Sequence, residues 1–320
     1  MSILDVRDIY RPFNYPQFEE LHRKLYMSFW HPNEVSLDQD IHDYKFELTE
    51  SERVLVGRIL KNFVQSEIHI GCFWGDFVSS WFKQPEIQNV SRYISGNETI
   101  HAAGYDLLNE SLGLHDYDKL KEDKKLYARI QNLIRKKAKN PEDILKQIFL
   151  FSVMGEGVSL FSSFITLFAF TKTNKLKGVG QIISWSTLDE QLHSDVGCML
   201  FNILKKEKDL ITDKLKEDLY KIAEETVEIE MNLIDRVFEG LDINIINPRV
   251  IKNYVNDKAN KQLKKVGLNK HFKVDKELLK ESEFFNIMVN GASVVDFFSN
   301  KETSYSKGLL VFDENVWGKE

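Results

Sequence analysis

The chain has few of the residues that staple or interrupt a fold. It has only two cysteines in 320 residues, Cys72 and Cys198, in neither a CxxC nor any other metal spacing. That excludes a disulfide scaffold and fits a reducing cytosol, so a cytoplasmic protein is expected. Six prolines and sixteen glycines leave long uninterrupted stretches. Alternation of the strand kind is nearly missing, and helical periodicity remains as the organising pattern. Dense basic clusters are also missing: 43 basic against 49 acidic residues give a formal charge of −6, which argues against a nucleic-acid partner. The patch "IRKKAK" (Ile134–Lys139) reads as the solvated end of a helix whose dipole it complements. There is no Gly-rich phosphate loop. The first residues, "MSILDVRDIYRPF", hold no apolar stretch flanked by basic residues, so no secretory signal is expected.

One apolar run is long enough to cross a bilayer. Ile148–Phe170, "IFLFSVMGEGVSLFSSFITLFAF", spans 23 residues with a single charge, Glu156, between two glycines near its middle. Its ends lack the basic and aromatic asymmetry of a membrane anchor. An all-round apolar helix is equally the central helix of a bundle, and no membrane association is expected.

The periodicity predicts helices over Gln17–Ser28, Glu50–Lys83, Pro85–Leu112, Tyr117–Lys137, Glu142–Lys172, Leu176–Lys205, Asp209–Gly240, Pro248–Val266 and Lys276–Ile287. Thr49 with Glu52 forms a capping-box signature, and Asn140 before Pro141 a cap with proline at the first helical position. Long helices with short connections mean an all-α bundle, one domain over residues 1–290. Residues 291–320, ending "KETSYSKGLLVFDENVWGKE", lose the helical period and read as a flexible tail.

The chemistry-bearing residues lie on these helices. "SGNETIHAAGY" places Glu98, His101 and Tyr105 three and then four residues apart, on one helical face beside apolar neighbours. "LDEQLHSD" repeats the first spacing with Glu190 and His193. Two lone carboxylates, Glu67 and Glu156, stand in apolar helical surroundings. An unpaired carboxylate in a core costs many kcal/mol or takes up a proton. Four carboxylates and two imidazoles around two divalent ions neutralise one another instead. The set is oxygen-rich, has one nitrogen for each metal and no thiolate, and suits iron or manganese better than structural zinc. One Glu from each of two helices and Glu-x-x-His from two others is the ligand pattern of ferritin-like dimetal proteins. His69, two residues from Glu67, points away from that face. His22, His31, His42, His115 and His271 are read as having no acidic partner at ligand spacing.

With "YMSFWHPNEV" (Tyr26–Val35) upstream and "DFFSNKETSYSKG" (Asp296–Gly308) downstream, these motifs resemble the small, radical-generating subunit of class I ribonucleotide reductase, over nearly the whole chain. The resemblance implies a ferritin-like bundle with two metal ions per chain, iron, manganese or both, held by Glu67, Glu98, His101, Glu156, Glu190 and His193. It implies that Tyr105 takes the place of the radical-bearing tyrosine. Asp189 is then the acid that hydrogen-bonds a metal-bound histidine, His101, and Trp30 completes that chain toward the surface. Tyr305 resembles the tyrosine that relays the oxidising equivalent to the large subunit, and the acidic-aromatic tail the segment that docks there. A homodimer and an activating flavoprotein belong to the same expectation. Two departures stand out. Glu67 replaces the more usual aspartate, which resembles the subgroups that use manganese, with iron or alone, and that can store the oxidising equivalent on the metals. Ser186, one turn before Glu190, brings a hydroxyl to a place where the family often has an apolar residue near the tyrosine. Another ferritin-like dimetal oxidase or hydroxylase, or a metal store, are the alternative readings.

Overall fold

The computed structural model describes residues 2–115, 121–133 and 137–287, and among these no strand occurs. Along the described residues the α-helices follow in this order. The first five are α1 (Pro16–Met27), α2 (Asp38–His42), α3 (Glu50–Cys72), α4 (Ser79–Trp81) and α5 (Pro85–Leu112). They are followed by α6 (Lys124–Asn132), α7 (Pro141–Ile148), α8 (Phe161–Phe168) and α9 (Lys177–Glu207). The last are α10 (Asp213–Phe238), α11 (Pro248–Lys265) and α12 (Lys276–Glu281). The all-α expectation holds.

Local signals start the rods where expected. Thr49 Oγ1 accepts from the Glu52 amide at 3.2 Å while Glu52 accepts from the Thr49 amide at 2.8 Å, closing the capping box of α3. Asn140 Oδ1 accepts from the Asp143 amide at 2.8 Å and caps α7, with Pro141 in its first turn. Two expected helices are continuous rods with wide turns in them. Glu50–Lys83 passes through a π-helical segment at Phe73–Val78, and Glu142–Lys172 through one at Phe149–Ser159. Periodicity does not distinguish a π from an α register; close packing of neighbours does. A Cβ on Gly157 would lie 2.6 Å from Gln262 Nε2 and 2.7 Å from Ser194 Oγ, so side chains of α11 and α9 pack closely over this backbone.

Two helices and one connection differ from expectation. The helix expected over Tyr117–Lys137 is seen as Lys124–Asn132, with residues 116–120 and 134–136 outside the described part. The next correction is at Asp209, whose φ of 48° breaks the helix expected there. Thr212 Oγ1 accepts from the Leu215 amide at 3.1 Å and starts α10 instead. The short turns over Pro32–Glu47, including α2, were not anticipated. They matter because Asp40 of α2 accepts from the Gly178 and Val179 amides at 3.0 and 2.8 Å and holds the start of α9.

At the centre, α3 packs along α5, and α9 packs along the π-helical stretch and α8. The apolar run is that central rod: Phe149–Ser159 and Phe161–Phe168 are buried throughout, and the most apolar window of Pro141–Thr173 lies wholly inside the fold. It is a core helix, as expected of a soluble protein. A buried ion pair crosses the same core. Arg129 of α6 donates to Glu230 of α10 at 2.8 and 2.7 Å, and Ser162 adds a third bond to Glu230 at 2.7 Å.

Candidate metal centre

Each motif residue faces the middle of the four rods. Glu67 comes from α3, Glu98 and His101 from α5, Glu156 from the π-helical stretch, Glu190 and His193 from α9, and all six are buried. They form two groups. Glu67, Glu98, His101 and Glu190 offer ligand atoms within 4.8 Å of one another, as do Glu98, Glu156, Glu190 and His193. Glu98 and Glu190 belong to both groups, which is the placement a pair of bridging carboxylates needs. The imidazoles agree: Nδ1 of His101 lies 3.1 Å from both Glu98 and Glu190, and Nδ1 of His193 lies 2.9 Å from Glu98. Both Nε2 atoms point away, to Asp189 at 3.2 Å and to Asn97 at 3.1 Å. An outer partner of this kind fixes the tautomer that leaves Nδ1 free for a metal.

The donor set fits two divalent cations on a direct test. Both oxygens of Glu67 and of Glu98, one of Glu156, one of Glu190 and Nδ1 of His193 are buried without a hydrogen-bond partner. So many orphaned acceptors in one place require a shared cationic partner or bound protons. The protonation pattern of the bare site shows the same need. Burial, and then the charge of Glu98, push Glu190 up to about 8. Glu67 is raised well above the carboxylate range by burial and by Glu98. Burial opposes charge on His193, yet Glu98 outweighs it and lifts the imidazole to about 10. Burial also opposes the charge on Glu98, but the two imidazoles hold it well below the usual range. The cluster therefore draws in protons where cations would serve.

Three further expected residues adjoin it. Tyr105, one turn beyond His101, is fully buried; its ring stacks on Phe63 at 4.6 Å and its hydroxyl has no hydrogen-bond partner. Burial and the nearby charge of Glu67 push that phenol well up. The Ser186 hydroxyl is close enough to act on the phenol in the lowering direction, so the hydroxyl expected beside the tyrosine is there. Asp189 Oδ2 accepts from Trp30 Nε1 at 2.8 Å as well as facing His101, and the Trp30 and His101 rings lie parallel within 16° at 5.8 Å. Gly104 makes room for this, because a Cβ there would stand 3.3 Å from Trp30 Cη2. Trp30 is itself buried, with Trp185 beside it at 5.4 Å. Tyr305 and the tail expected over residues 291–320 lie outside the described residues.

Two contacts were missed from the sequence. Asn97 touches His193 and, at 3.4 Å, Asp189, and its signal was its place next to Glu98. Trp74 donates to Glu156 Oε1 at 2.6 Å; it stands seven residues after Glu67, two turns along the same face. Among the other histidines, His69 is half-buried and belongs to neither group. The reading of His22 and His271 needs correction. Glu19, three residues before His22, lies 3.7 Å from it, and Glu224 lies 2.6 Å from His271. Both are pairs with a single acid and gather no metal-sized set.

The model of the family "Ribonucleotide reductase, small chain" matches residues 7–278. The chain belongs to that family. A protein named "Probable ribonucleoside-diphosphate reductase small subunit" from Invertebrate iridescent virus 6 is 28% identical, over 100% of this chain and 98% of its own. The solved ribonucleotide reductase R2 subunit from Clostridium botulinum superposes with a TM-score of 0.79 at 20% identity, covering 89% of this chain and 94% of that one. A dimanganese(II)-NrdF from Streptococcus sanguinis does so with a TM-score of 0.68 at 19% identity, covering 87% of this chain and all of the other. The fold is thus the ferritin-like bundle of these proteins. As a small subunit of an oxidoreductase that reduces ribonucleotides, the chain works with a large subunit. Membership sets aside an unrelated dimetal oxidase and a metal store.

Proposed function

We propose that Glu67, Glu98, His101, Glu156, Glu190 and His193 hold two iron or manganese ions and that this site starts ribonucleotide reduction in the large subunit. The observation that carries this is the convergence of two four-residue groups sharing Glu98 and Glu190. Two such ions, once oxidised by an oxygen species, supply a one-electron oxidising equivalent.

The protein's own residues shelter and conduct that equivalent. Phe63 stacks on Tyr105 and Phe151 lies buried in the same stretch as Glu156, while a surface cavity of about 370 Å³ reaches Glu67 and Glu98 from the other side. Asp189 accepts from Trp30 and orients His101, making a buried hydrogen-bonded path Trp30–Asp189–His101. Tyr105 lies beside this path, its hydroxyl has no hydrogen-bond partner, and Glu67 is the acid that acts on it most strongly. Storage is on Tyr105 or, as Glu67 in place of aspartate favours, on the ions themselves. Tyr305 passes the equivalent onward, and the tail over residues 291–320 docks on the large subunit. The working form is a cytoplasmic homodimer, with a flavoprotein as the activating partner for a manganese-loaded site.

The test is metal analysis with electron paramagnetic resonance on activated protein that turns over with its large subunit. A tyrosyl signal that vanishes in Tyr105→Phe places storage on the tyrosine; a coupled-metal signal that survives the substitution places it on the ions. Activated, competent protein with fewer than two ions per chain would refute the site.

A further inference from the structure

The two halves of the cluster are not held alike. Neither oxygen of Glu67 has a hydrogen-bond donor. At Glu156, Trp74 Nε1 donates to Oε1 at 2.6 Å, His193 Nδ1 lies 3.5 Å from the same oxygen, and Oε2 has no donor. The donor cannot follow if the carboxylate moves. Trp74 is fully buried, its ring meets Phe73 edge-on at 5.4 Å, and Phe73 stacks on Phe151 at 4.7 Å with the planes 2° apart. Phe151 belongs to the same π-helical stretch as Glu156, so both ends of the hydrogen bond are anchored to one phenylalanine pair. The wide turns at Phe73–Val78 and Phe149–Ser159 thus meet through this contact.

We propose that Trp74 is a positioning residue for the dimetal site, fixing the orientation of the Glu156 carboxylate through the hydrogen bond to Oε1. A carboxylate oxygen that accepts a buried N–H keeps a lone pair for a cation, but turning the carboxylate away costs that hydrogen bond. A cation held by Glu156 and His193 would thus meet a carboxylate of fixed orientation, while Glu67 has no such donor. This rests on the dimetal reading above.

The test uses the full chain stripped of metal and titrated with manganese(II), following free and bound ion by electron paramagnetic resonance. Two variants separate hydrogen bonding from packing: Trp74→Phe, and Trp74 replaced by benzothienylalanine, whose sulfur takes the place of the N–H in a ring of nearly the same shape. Both variants should still bind two ions, with one of the two dissociation constants weakened about 10–100-fold and the coupled two-manganese signal altered. Wild-type constants and spectrum in both variants would overturn the proposal. So would a defect confined to Trp74→Phe, because that assigns the effect to ring volume. Failure of the wild-type protein to bind two ions would instead remove the dimetal reading itself.

Discussion

Stripping the metals should make the stability of this protein fall steeply with pH, and loading them should abolish that fall. The argument starts from Glu190, raised by burial and Glu98 to about 8, and His193, lifted by Glu98 against the effect of burial to about 10. Both folded-state values lie above the unfolded ones, so the metal-free native state binds more protons than the unfolded chain. Its stability then decreases as pH rises, from about 4.5 to 8 for Glu190 and from about 6.5 to 10 for His193. Between about pH 6.5 and 8 both groups contribute, each at roughly 1.4 kcal/mol per pH unit. From these two groups alone the metal-free protein should lose on the order of 4 kcal/mol across that interval, or roughly 8 °C in melting temperature at about 2 °C for each kcal/mol, and Glu67 and His101, raised as well, act in the same direction. In the loaded protein the same side chains are deprotonated by the ions, and affinity rises with pH as proton competition fades. Surface titrations act on both forms and cancel in the difference. The assay is scanning calorimetry of metal-free and loaded protein at pH 6.5, 7.2 and 8.0. A gap in melting temperature that widens by several degrees supports the argument; a constant gap would refute the claim that cations stand in for protons at this cluster.

Two other perturbations follow from the geometry. Asp189→Asn keeps the shape but removes the charge that faces His101 and Trp30, and should weaken metal binding about 10–100-fold and reduce turnover with the large subunit, read by metal titration and steady-state assay. Arg129→Met leaves Glu230 buried without its cation and should cost about 3–5 kcal/mol in a denaturant melt; a loss under 1 kcal/mol would show that Ser162 alone satisfies the carboxylate.

The six candidate ligands and Tyr105 were legible in the chain because their chemistry conflicts with their surroundings. Charged residues inside apolar helical stretches can be tolerated only if they meet, and Glu-x-x-His is a local spacing that a helix turns into one face. Long rods, caps at Thr49 and Asn140, and the scarcity of proline carried the all-α class in the same way. Local patterns do not record which atoms approach across sixty or more residues. That Glu98 and Glu190 are shared between two groups, that Asn97 supports His193, and that Trp74 holds Glu156 depend on how α3, α5, α9 and the π-helical stretch pack. The chain by itself determined which side chains had to be gathered, through the cost of burying them apart. Only the tertiary structure decided how each is oriented, because hydrogen-bond direction depends on helix position and rotation that no sequence spacing encodes.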